Sequence, residues 1–228
     1  MSRSAVFLQA RMASTRLPGK ALLPLVDKTV IAHAMDALAS LPVHVRAVLT
    51  DEASADDLRP VVESCGYQLF CGDPDDVLGR YCAAARHFSI DTIVRATGDN
   101  PLVSAAIARE AMQLQSVTDT DYAGITDTPY GTGVEVVRAE ALFDLQQYSC
   151  DRYHREHVTP GIYHNPGRYS VITRPAASSV QFPSMRVTLD TLEDYHYIAE
   201  LFDVLYRGDP IELPELVTYG HKQHRTSA

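Results

Sequence analysis

"SAVFLQARMASTRLPGK" spans residues 4–20. Its first part, 4–10, is a short apolar run of the kind that forms a buried strand. Its second part, 11–19, is polar and contains a proline and a glycine, which predicts a loop. In α/β proteins with parallel sheets, ligands bind beyond the carboxyl ends of the strands. This stretch therefore predicts a first strand whose following loop lies at a binding edge.

The alternation of strand-like and helix-like segments continues to about residue 115. Helices are predicted at 29–41, 53–65, 75–88 and 104–115, and strands at 45–50, 67–70 and 91–97. Pro60 is expected to kink or interrupt the second helix. This pattern predicts a mostly parallel sheet with helices on both faces. Loops 11–19, 72–75 and 98–103 each follow a strand, so we expect them to meet at one rim.

The pattern loosens after residue 118. A turn-rich segment with one short strand is followed by predicted strands at 134–137, 168–174 and 185–190 and by predicted helices at 139–148 and 192–207. The polar tail, 221–228, is expected to fray. No linker interrupts the chain, which predicts a single domain over 1–228 with an inserted lobe at about 125–180.

The charge balance limits the classes of partner. The chain of 228 residues carries 20 Lys and Arg against 29 Asp and Glu, a formal net charge of −9. This argues against general nucleic-acid binding, which needs a basic face. A local group of cations can still bind a small anion in one cleft.

Cysteine spacing and hydropathy point to an ordinary soluble protein. The four cysteines show no Cys-x-x-Cys pair, so we expect reduced, mostly buried thiols and no cysteine metal site. The first apolar run is too short for a signal peptide, and no run approaches the ~20 residues that span a bilayer. We therefore expect a cytoplasmic protein without membrane association.

The loop after the first strand combines cations with small residues. Arg11, Arg16 and Lys20 lie close to Ser14 and Gly19, where the backbone can approach a ligand. Cations and backbone N–H groups bind polyphosphates. The loop matches neither the Walker A nor the G-x-G-x-x-G pattern. From these residues alone, a phosphate site and a solvated basic loop are equally consistent with the pattern.

Two aspartates follow predicted strands. Asp99 lies in "RATGDNPLV", where it could bind Mg²⁺ or only cap an Asp-Asn-Pro turn; from the residues alone the turn is favoured. Asp190 lies in "RVTLDTLEDY", where Thr191 and Asp194 fit a variant capping box. The sequence suggests no structural role for Asp190, in contrast to these two capping residues.

A charged segment, "DRYHREHVTP", covers 151–160. His154 and His157 are three residues apart, as neighbours on a helix would be. A metal site would need ligands that the sequence does not identify. An anion-binding patch or interface and a solvated helix face with internal salt bridges remain equally open.

Taken together, these segments resemble the cytidylyltransferases of the CMP-KDO synthetase type, and most of all the branch related to spore-coat polysaccharide biosynthesis proteins. The loop Arg-x-x-Ser-x-Arg-Leu-Pro-Gly-Lys of that family is matched by Arg11, Ser14, Arg16, Leu17, Pro18, Gly19 and Lys20. "DPDDVLGRY", "RATGDNPLV", "REHVT" and "LDTLEDY" follow in the family's order. The resemblance covers nearly the whole chain.

The resemblance implies a Rossmann-like three-layer α/β/α nucleotidyltransferase fold. It also implies transfer of CMP from CTP to an acceptor oxygen, with release of pyrophosphate and with Mg²⁺ as cofactor. The acceptor is expected to be acidic or phosphorylated: a sugar acid, a sugar or polyol phosphate, or a phosphonate. Relatives are often dimers, so a homodimer through the lobe at 125–180 is expected.

The same resemblance assigns roles to residues. Arg11 and Lys20 would bind phosphates, and Asp99 and Asp190 would hold Mg²⁺. The nucleotide group comprises Gln9, Ala10, Arg11, Met12, Ala13, Ser14, Lys20, Asp75, Arg80, Thr97 and Gly98. The acceptor group comprises Glu135, Arg155, Glu156 and His157, of which the last three would face the acceptor or a dimer partner.

Two alternatives remain open at this point. A guanylyl- or uridylyltransferase would share the fold and the cationic loop. A non-catalytic nucleotide-binding module would be expected to lack a phosphate lysine or a metal aspartate, and here Lys20, Asp99 and Asp190 are all present. Asn100 after Asp99 and the glycine-rich "YGTGVEVV" depart from common family patterns, which leaves the acceptor undefined.

Overall fold

The computed structural model describes residues 2–226, with side chains up to residue 223. Its strands are β1 (Ser4–Gln9), β2 (Pro24–Leu25), β3 (Lys28–Thr29), β4 (Val45–Thr50), β5 (Gln68–Cys71), β6 (Thr92–Thr97), β7 (Tyr122–Thr126), β8 (Glu135–Arg138) and β9 (Val171–Pro175). Its helices are α1 (Val30–Leu38), α2 (Glu52–Ser64), α3 (Val77–Phe88), α4 (Ala105–Thr118), α5 (Ala139–Tyr148), α6 (Arg152–His157), α7 (Pro160–Tyr163), α8 (Leu192–Leu205) and α9 (Leu213–Thr226). Short 3₁₀ turns occupy Lys20–Leu22 and Ser178–Val180.

The described strands form a seven-stranded sheet in the order β5-β4-β1-β6-β8-β7-β9, beside a small β2–β3 hairpin. Strand β8 runs antiparallel to both its neighbours, β6 and β7, whereas the other pairs in the sheet are parallel. Strand β1 lies between β4 and β6, with Gln9 opposite Thr97. The mostly parallel sheet predicted from the sequence is confirmed, and the ends of β1 and β6 lie side by side.

Helices cover both faces of the sheet, because side chains of β1 alternate between two buried cores. Val6 and Leu8 belong to the core that includes residues of α1, α4 and α8. Ala5 and Phe7 belong to the second core, with residues of α3, α5 and α7. The result is the three-layer α/β/α arrangement that was predicted. Within the described residues, no helix is long and apolar enough to cross a membrane.

Residues 125–180 are integrated into this sheet. They supply β8, which pairs with β6 and β7, and the edge strand β9. Helices α5 and α7 from the same region pack on one face. A dimer through this region stays a prediction.

The prediction of a strand at 185–190 is wrong. Only an isolated bridge joins Tyr130 to Arg186. Gly131 has a φ of +110°, and a Cβ there would lie 2.7 Å from the backbone nitrogen of Thr188. The two backbones therefore approach closely at Gly131, but among the described residues their pairing does not extend beyond the single bridge. The alternating apolar residues that suggested a strand, Met185, Val187 and Leu189, are buried in the core instead.

Three smaller expectations also need correction. Helix α2 runs through Pro60 without interruption, with Leu58 and Val62 buried in the core on either side, and a kink there stays a prediction. Residues 221–226 of the expected frayed tail belong to α9, and the last two lie outside the described residues. Of the four free cysteines only Cys82 is buried, while Cys150 is exposed.

Candidate active site

A cavity of about 480 Å³ opens at the carboxyl ends of β1 and β6. The loop after β1, the segment before α3, the end of β6, helix α6 and Asp190 all contribute to it. Its lining residues are Gln9, Ala10, Arg11, Ser14, Thr15, Arg16, Lys20, Ala21, Pro74, Asp75, Val77, Arg80, Thr97, Asp99, Arg152, Glu156, His157 and Asp190. The three loops predicted to share a rim thus all reach one cavity.

Most of the residues predicted from the sequence line this cavity. The structure brings together Gln9, Ala10, Arg11, Ser14, Lys20, Asp75, Arg80, Thr97, Asp99, Glu156, His157 and Asp190. It does not place Met12, Ala13, Gly98, Glu135 or Arg155 in the lining. These five lie beside or behind the cavity.

Met12 shapes the loop after β1 through its backbone. Its carbonyl accepts hydrogen bonds from the backbone amides of Ser14 and Gly19, each at 3.0 Å, and its own amide donates to Ser54 Oγ at 2.9 Å. Gly19 has a φ of +71°, which favours glycine. The loop therefore folds back, so that Lys20 returns to the rim.

Lys20 lies between the two predicted metal aspartates. Its Nζ is 2.5 Å from Asp99 Oδ2 and 3.1 Å from Asp190 Oδ1, and it also donates to the carbonyl of Leu189 at 2.7 Å. The Lys20 side chain is only 11% exposed. Asp99 and Asp190, which lie 79 and 170 positions after Lys20 in the sequence, thereby share the Lys20 ammonium group.

Further cations surround Asp190. Arg16 Nη2 lies 3.1 Å from Oδ1, and Arg186 Nη2 donates to Oδ2 at 2.7 Å. The backbone amide of Asp190 donates to Asp194 Oδ2 at 2.9 Å, in the capping box that begins α8. This cap fixes the backbone that carries Asp190 to the rim.

The capping carboxylate of Asp194 should stabilise the fold in a pH-dependent way. Burial works to raise the pKa of Asp194, but the hydrogen bonds from the amides of Asp190 and Thr191 outweigh it and hold the pKa below its usual range. A lowered folded-state pKa gives stability above the unfolded pKa, near 4, which is lost as the pH falls through the folded value. We expect Asp194→Ala to lower the free energy of unfolding by about 1 kcal/mol at pH 7 and by less at pH 3.

Urea denaturation of the two proteins at both pH values measures this difference. Glu193→Ala is the matched control, because Glu193 is an exposed acidic residue in the same helical turn. An equal loss of stability at pH 7 and pH 3, or an equal loss in both variants, would contradict the role assigned to Asp194.

The donor set at the rim fits a magnesium ion. Asp99 and Asp190 already share a cation, and carboxylates are ligands that Mg²⁺ prefers. Among the described residues, no group of three or more His, Cys, Asp and Glu side chains could hold a metal. Two carboxylates completed by substrate phosphates and water are a usual magnesium arrangement. The chain therefore offers the protein half of such a site.

Arg80 holds the opposite wall of the cavity. Its guanidinium is buried and donates to the carbonyls of Asp73, at 2.9 and 3.2 Å, and Pro74, at 3.3 Å. Burial lowers the pKa of Arg80 below its ordinary value. Its donors are largely used to shape the 73–75 loop, which carries Asp75 to the rim.

Helix α6 brings its charged side chains to the cavity from the side of α3. Arg152, Glu156 and His157 line the cavity. Arg155 does not line the cavity, and the prediction that it faces the acceptor or a dimer partner stays a prediction. Its guanidinium donates to Asp76 Oδ2 at 2.8 Å and to the carbonyls of Gln146 and Ser149. Arg155 thus ties α6 to the start of α3 and the end of α5.

Glu135 is the second predicted acceptor residue that is not in the cavity lining. Both of its carboxylate oxygens are engaged behind the cavity by Arg95, Tyr122 and Thr159. These donors hold the carboxylate outside the cavity lining, and a direct contact between Glu135 and the acceptor stays a prediction.

Sequence reasoning assigned no site role to several residues that line the cavity: Thr15, Arg16, Ala21, Pro74, Val77 and Arg152. Arg16 belongs to the quoted loop motif, so its position in that motif was an available signal. Arg152 and Arg155 are both arginines on α6, and the charge pattern of the sequence does not indicate which of them faces the cavity.

Comparison with known proteins identifies the family. The cytidylyltransferase family profile matches residues 5–224. The chain belongs to the cytidylyltransferase family. This confirms the family that the loop motifs predicted, and structural neighbours with the nucleotidyltransferase fold confirm the fold class.

Relatives in this family cover almost the whole chain. Spore coat polysaccharide biosynthesis protein SpsF of Bacillus subtilis is 31% identical over 219 residues, which are 92% of this chain and 91% of that one. A cytidylyltransferase from Leptospira borgpetersenii superposes with a TM-score of 0.90 at 26% identity, over 99% of this chain and 96% of that one. A CMP-KDO synthetase solved with CTP shares the fold, with a TM-score of 0.70 at 18% identity over 89% of this chain and 99% of that one.

Proposed function

We propose that this cytidylyltransferase transfers CMP from CTP to an acidic or phosphorylated acceptor and releases pyrophosphate. The observation that carries the proposal is the placement of Lys20 between Asp99 and Asp190 at the mouth of the cavity. Membership of the family supports CTP as the donor. The spore-coat relative supports a role in polysaccharide biosynthesis.

The positive charges of the loop after β1 would hold the triphosphate. Arg11 lines the cavity and forms no ion pair with another described residue, so its donors are available to phosphate oxygens. Ser14 and the folded-back backbone lie beside it. Cations that contact the leaving pyrophosphate stabilise the charge that develops as the bond to the α-phosphorus breaks.

Asp99 and Asp190, which both contact Lys20 at the rim, would hold Mg²⁺. A bound Mg²⁺ would neutralise phosphate charge and polarise the phosphoryl oxygens. Lys20, whose Nζ these carboxylates now share, would then be available to a phosphate. Most of the rate acceleration would come from positioning and charge stabilisation, because phosphoryl chemistry requires little covalent work from the protein.

The acceptor would enter beside α6. Arg152 and His157 offer positive or hydrogen-bonding groups, and Glu156 offers an acceptor for hydroxyl groups. An acceptor with a carboxylate, phosphate or phosphonate matches this mixture. We also propose that the protein is a homodimer, which sedimentation of the purified protein would test.

A substrate screen tests the proposed reaction. We expect CTP to support pyrophosphate release at least about tenfold faster than ATP, GTP or UTP, because a single well-placed contact to the base supplies that discrimination. The acceptor panel would contain 3-deoxy-manno-octulosonate, a sugar 1-phosphate, a polyol phosphate and an aminoalkylphosphonate. Release with GTP or UTP but not CTP would reject the cytidylyl assignment, and binding without release for every pair would favour a non-catalytic module.

A further inference from the structure

A buried polar network lies directly behind the cavity, on the side of β6 and β8. Arg95 projects from β6 and is 13% exposed at its side chain. Its Nη1 donates to Glu135 Oε2 at 2.5 Å, and its Nη2 donates to Gln9 Oε1 at 3.0 Å. The network therefore joins the last residue of β1 to a carboxylate on β8.

Glu135 accepts hydrogen bonds from three neighbouring side chains. Its Oε1 accepts from the hydroxyls of Tyr122 at 2.9 Å and Thr159 at 2.8 Å, and Thr159 also reaches Oε2 at 2.9 Å. Burial works to lower the pKa of Arg95, but the charge of Glu135 outweighs it and raises that pKa. The two side chains thus form a salt bridge inside the network.

The Arg95 guanidinium determines how the amide of Gln9 is oriented. A guanidinium has donors and no acceptor, so the atom of Gln9 that faces it must be the carbonyl oxygen. The other end of the amide, Nε2, forms no hydrogen bond with another described residue, and Gln9 lines the cavity. Gln9 therefore presents two N–H donors on the cavity side.

The other end of the network is Thr159, which lies just after helix α6 and donates to Glu135. Thr159 follows Val158, a fully buried residue with a φ of +69°. A β-branched residue adopts this conformation only when its surroundings enforce it. Glu156 and His157, which line the cavity, immediately precede this strained residue. The hydrogen bonds from Thr159 to Glu135 thus anchor the segment that carries them.

The network lies on the β6–β8 side of the cavity, away from the residues that follow β5. Arg95 lies on β6 and Glu135 on β8, whereas Asp75 and Arg80 follow β5 at the other side of the sheet order. The network joins Gln9 to α6, which bears the residues proposed to meet the acceptor. We infer that Arg95 and Glu135 are positioning residues that present the Gln9 amide as a hydrogen-bond donor to an oxygen of the acceptor substrate. This inference rests on the proposed function and moves Gln9 from the nucleotide group to the acceptor group.

Paired variants separate positioning from structural support. Glu135→Gln leaves a buried, unpaired Arg95 and is expected to lower the melting temperature. The double variant Arg95→Gln with Glu135→Gln removes both charges and should recover most of that loss. A glutamine at 95 can donate or accept, so it no longer fixes the orientation of the Gln9 amide. We expect the double variant to raise the acceptor KM about tenfold, the value of one lost hydrogen bond to a charged group.

Three measurements decide the outcome: the melting temperature, the KM for the most active acceptor in the panel, and the calorimetric Kd for CTP. Gln9→Leu should also raise the acceptor KM about tenfold while the Kd for CTP changes less than about twofold. The matched control is Arg168→Gln with Asp144→Asn, an exposed ion pair outside the cavity lining, which should change neither constant.

Two results would overturn the inference. Full recovery of the acceptor KM together with the melting temperature in the double variant would make the ion pair purely structural. A tenfold weaker Kd for CTP in Gln9→Leu would place Gln9 at the nucleotide. If the unmodified protein bound no CTP and released no pyrophosphate with any acceptor, the proposed function itself would fail, which is a distinct result.

Discussion

Asp99→Asn is expected to lower kcat/KM for pyrophosphate release by about a thousandfold. Asparagine keeps the size of the side chain but removes the charge that lies 2.5 Å from Lys20 Nζ. A carboxylate that holds a divalent cation beside a triphosphate contributes several kcal/mol to transition-state stabilisation, and about 4 kcal/mol corresponds to a thousandfold change in rate. Steady-state pyrophosphate release with CTP and saturating Mg²⁺ measures the effect.

The matched control for this variant is Asp36→Asn. Asp36 pairs with Lys28 at 2.6 Å, with a similar side-chain exposure, but neither residue lines the cavity. We expect its kcat/KM to remain within about twofold of the unmodified protein. If Asp99→Asn retained as much activity as Asp36→Asn, Asp99 could not be a metal ligand in the reaction.

Lys20→Met is expected to separate metal binding from turnover. Methionine fills much of the space of the lysine stem but leaves the Asp99 and Asp190 carboxylates without the cation they share. Two like charges without their internal cation bind an added cation more strongly. We expect the affinity for Mn²⁺ without nucleotide to rise about tenfold, and kcat/KM to fall at least about a hundredfold because a phosphate contact is lost.

Calorimetric titration with Mn²⁺ and steady-state kinetics give the two values. Lys28→Met is the control, because it removes a lysine that also pairs with an aspartate, away from the cavity. Unchanged Mn²⁺ affinity together with unchanged turnover in Lys20→Met would contradict this account. Lys20 would then neither compete with the metal ion for Asp99 and Asp190 nor contact a phosphate in the reaction.

Local pattern predicted most of the first half of the fold, although it missed the short β2–β3 hairpin. The apolar run before Arg11 and the alternating segments after it predicted strands and helices that the structure contains, because each buried strand and amphipathic helix carries its own periodicity. The same reasoning predicted that the loops after β1, β5 and β6 meet, since parallel strands in one sheet place their carboxyl ends at one edge. Lys20 and Asp99 therefore converge as expected.

Local pattern was insufficient where a side chain has a choice of partners. Residues 185–190 alternate like a strand, but their apolar side chains are buried in the core and their backbone pairs through a single bridge rather than a ladder. Glu135 and Arg155 were charges near the predicted acceptor region. Tertiary partners at sequence separations of 40 and 79 residues, Arg95 and Asp76, engage them outside the cavity lining. The periodicity of a sequence does not predict ion pairs between residues this far apart.

Following the α-phosphorus of CTP by ³¹P NMR tests the central claim most directly. The protein would be incubated with CTP, Mg²⁺ and each acceptor of the panel. The proposed function predicts that the α-phosphorus signal moves to a new species that contains the acceptor, while pyrophosphate accumulates in equal amount. Formation of free CMP alone, or an unchanged CTP spectrum with every acceptor while another nucleoside triphosphate is consumed, would contradict it.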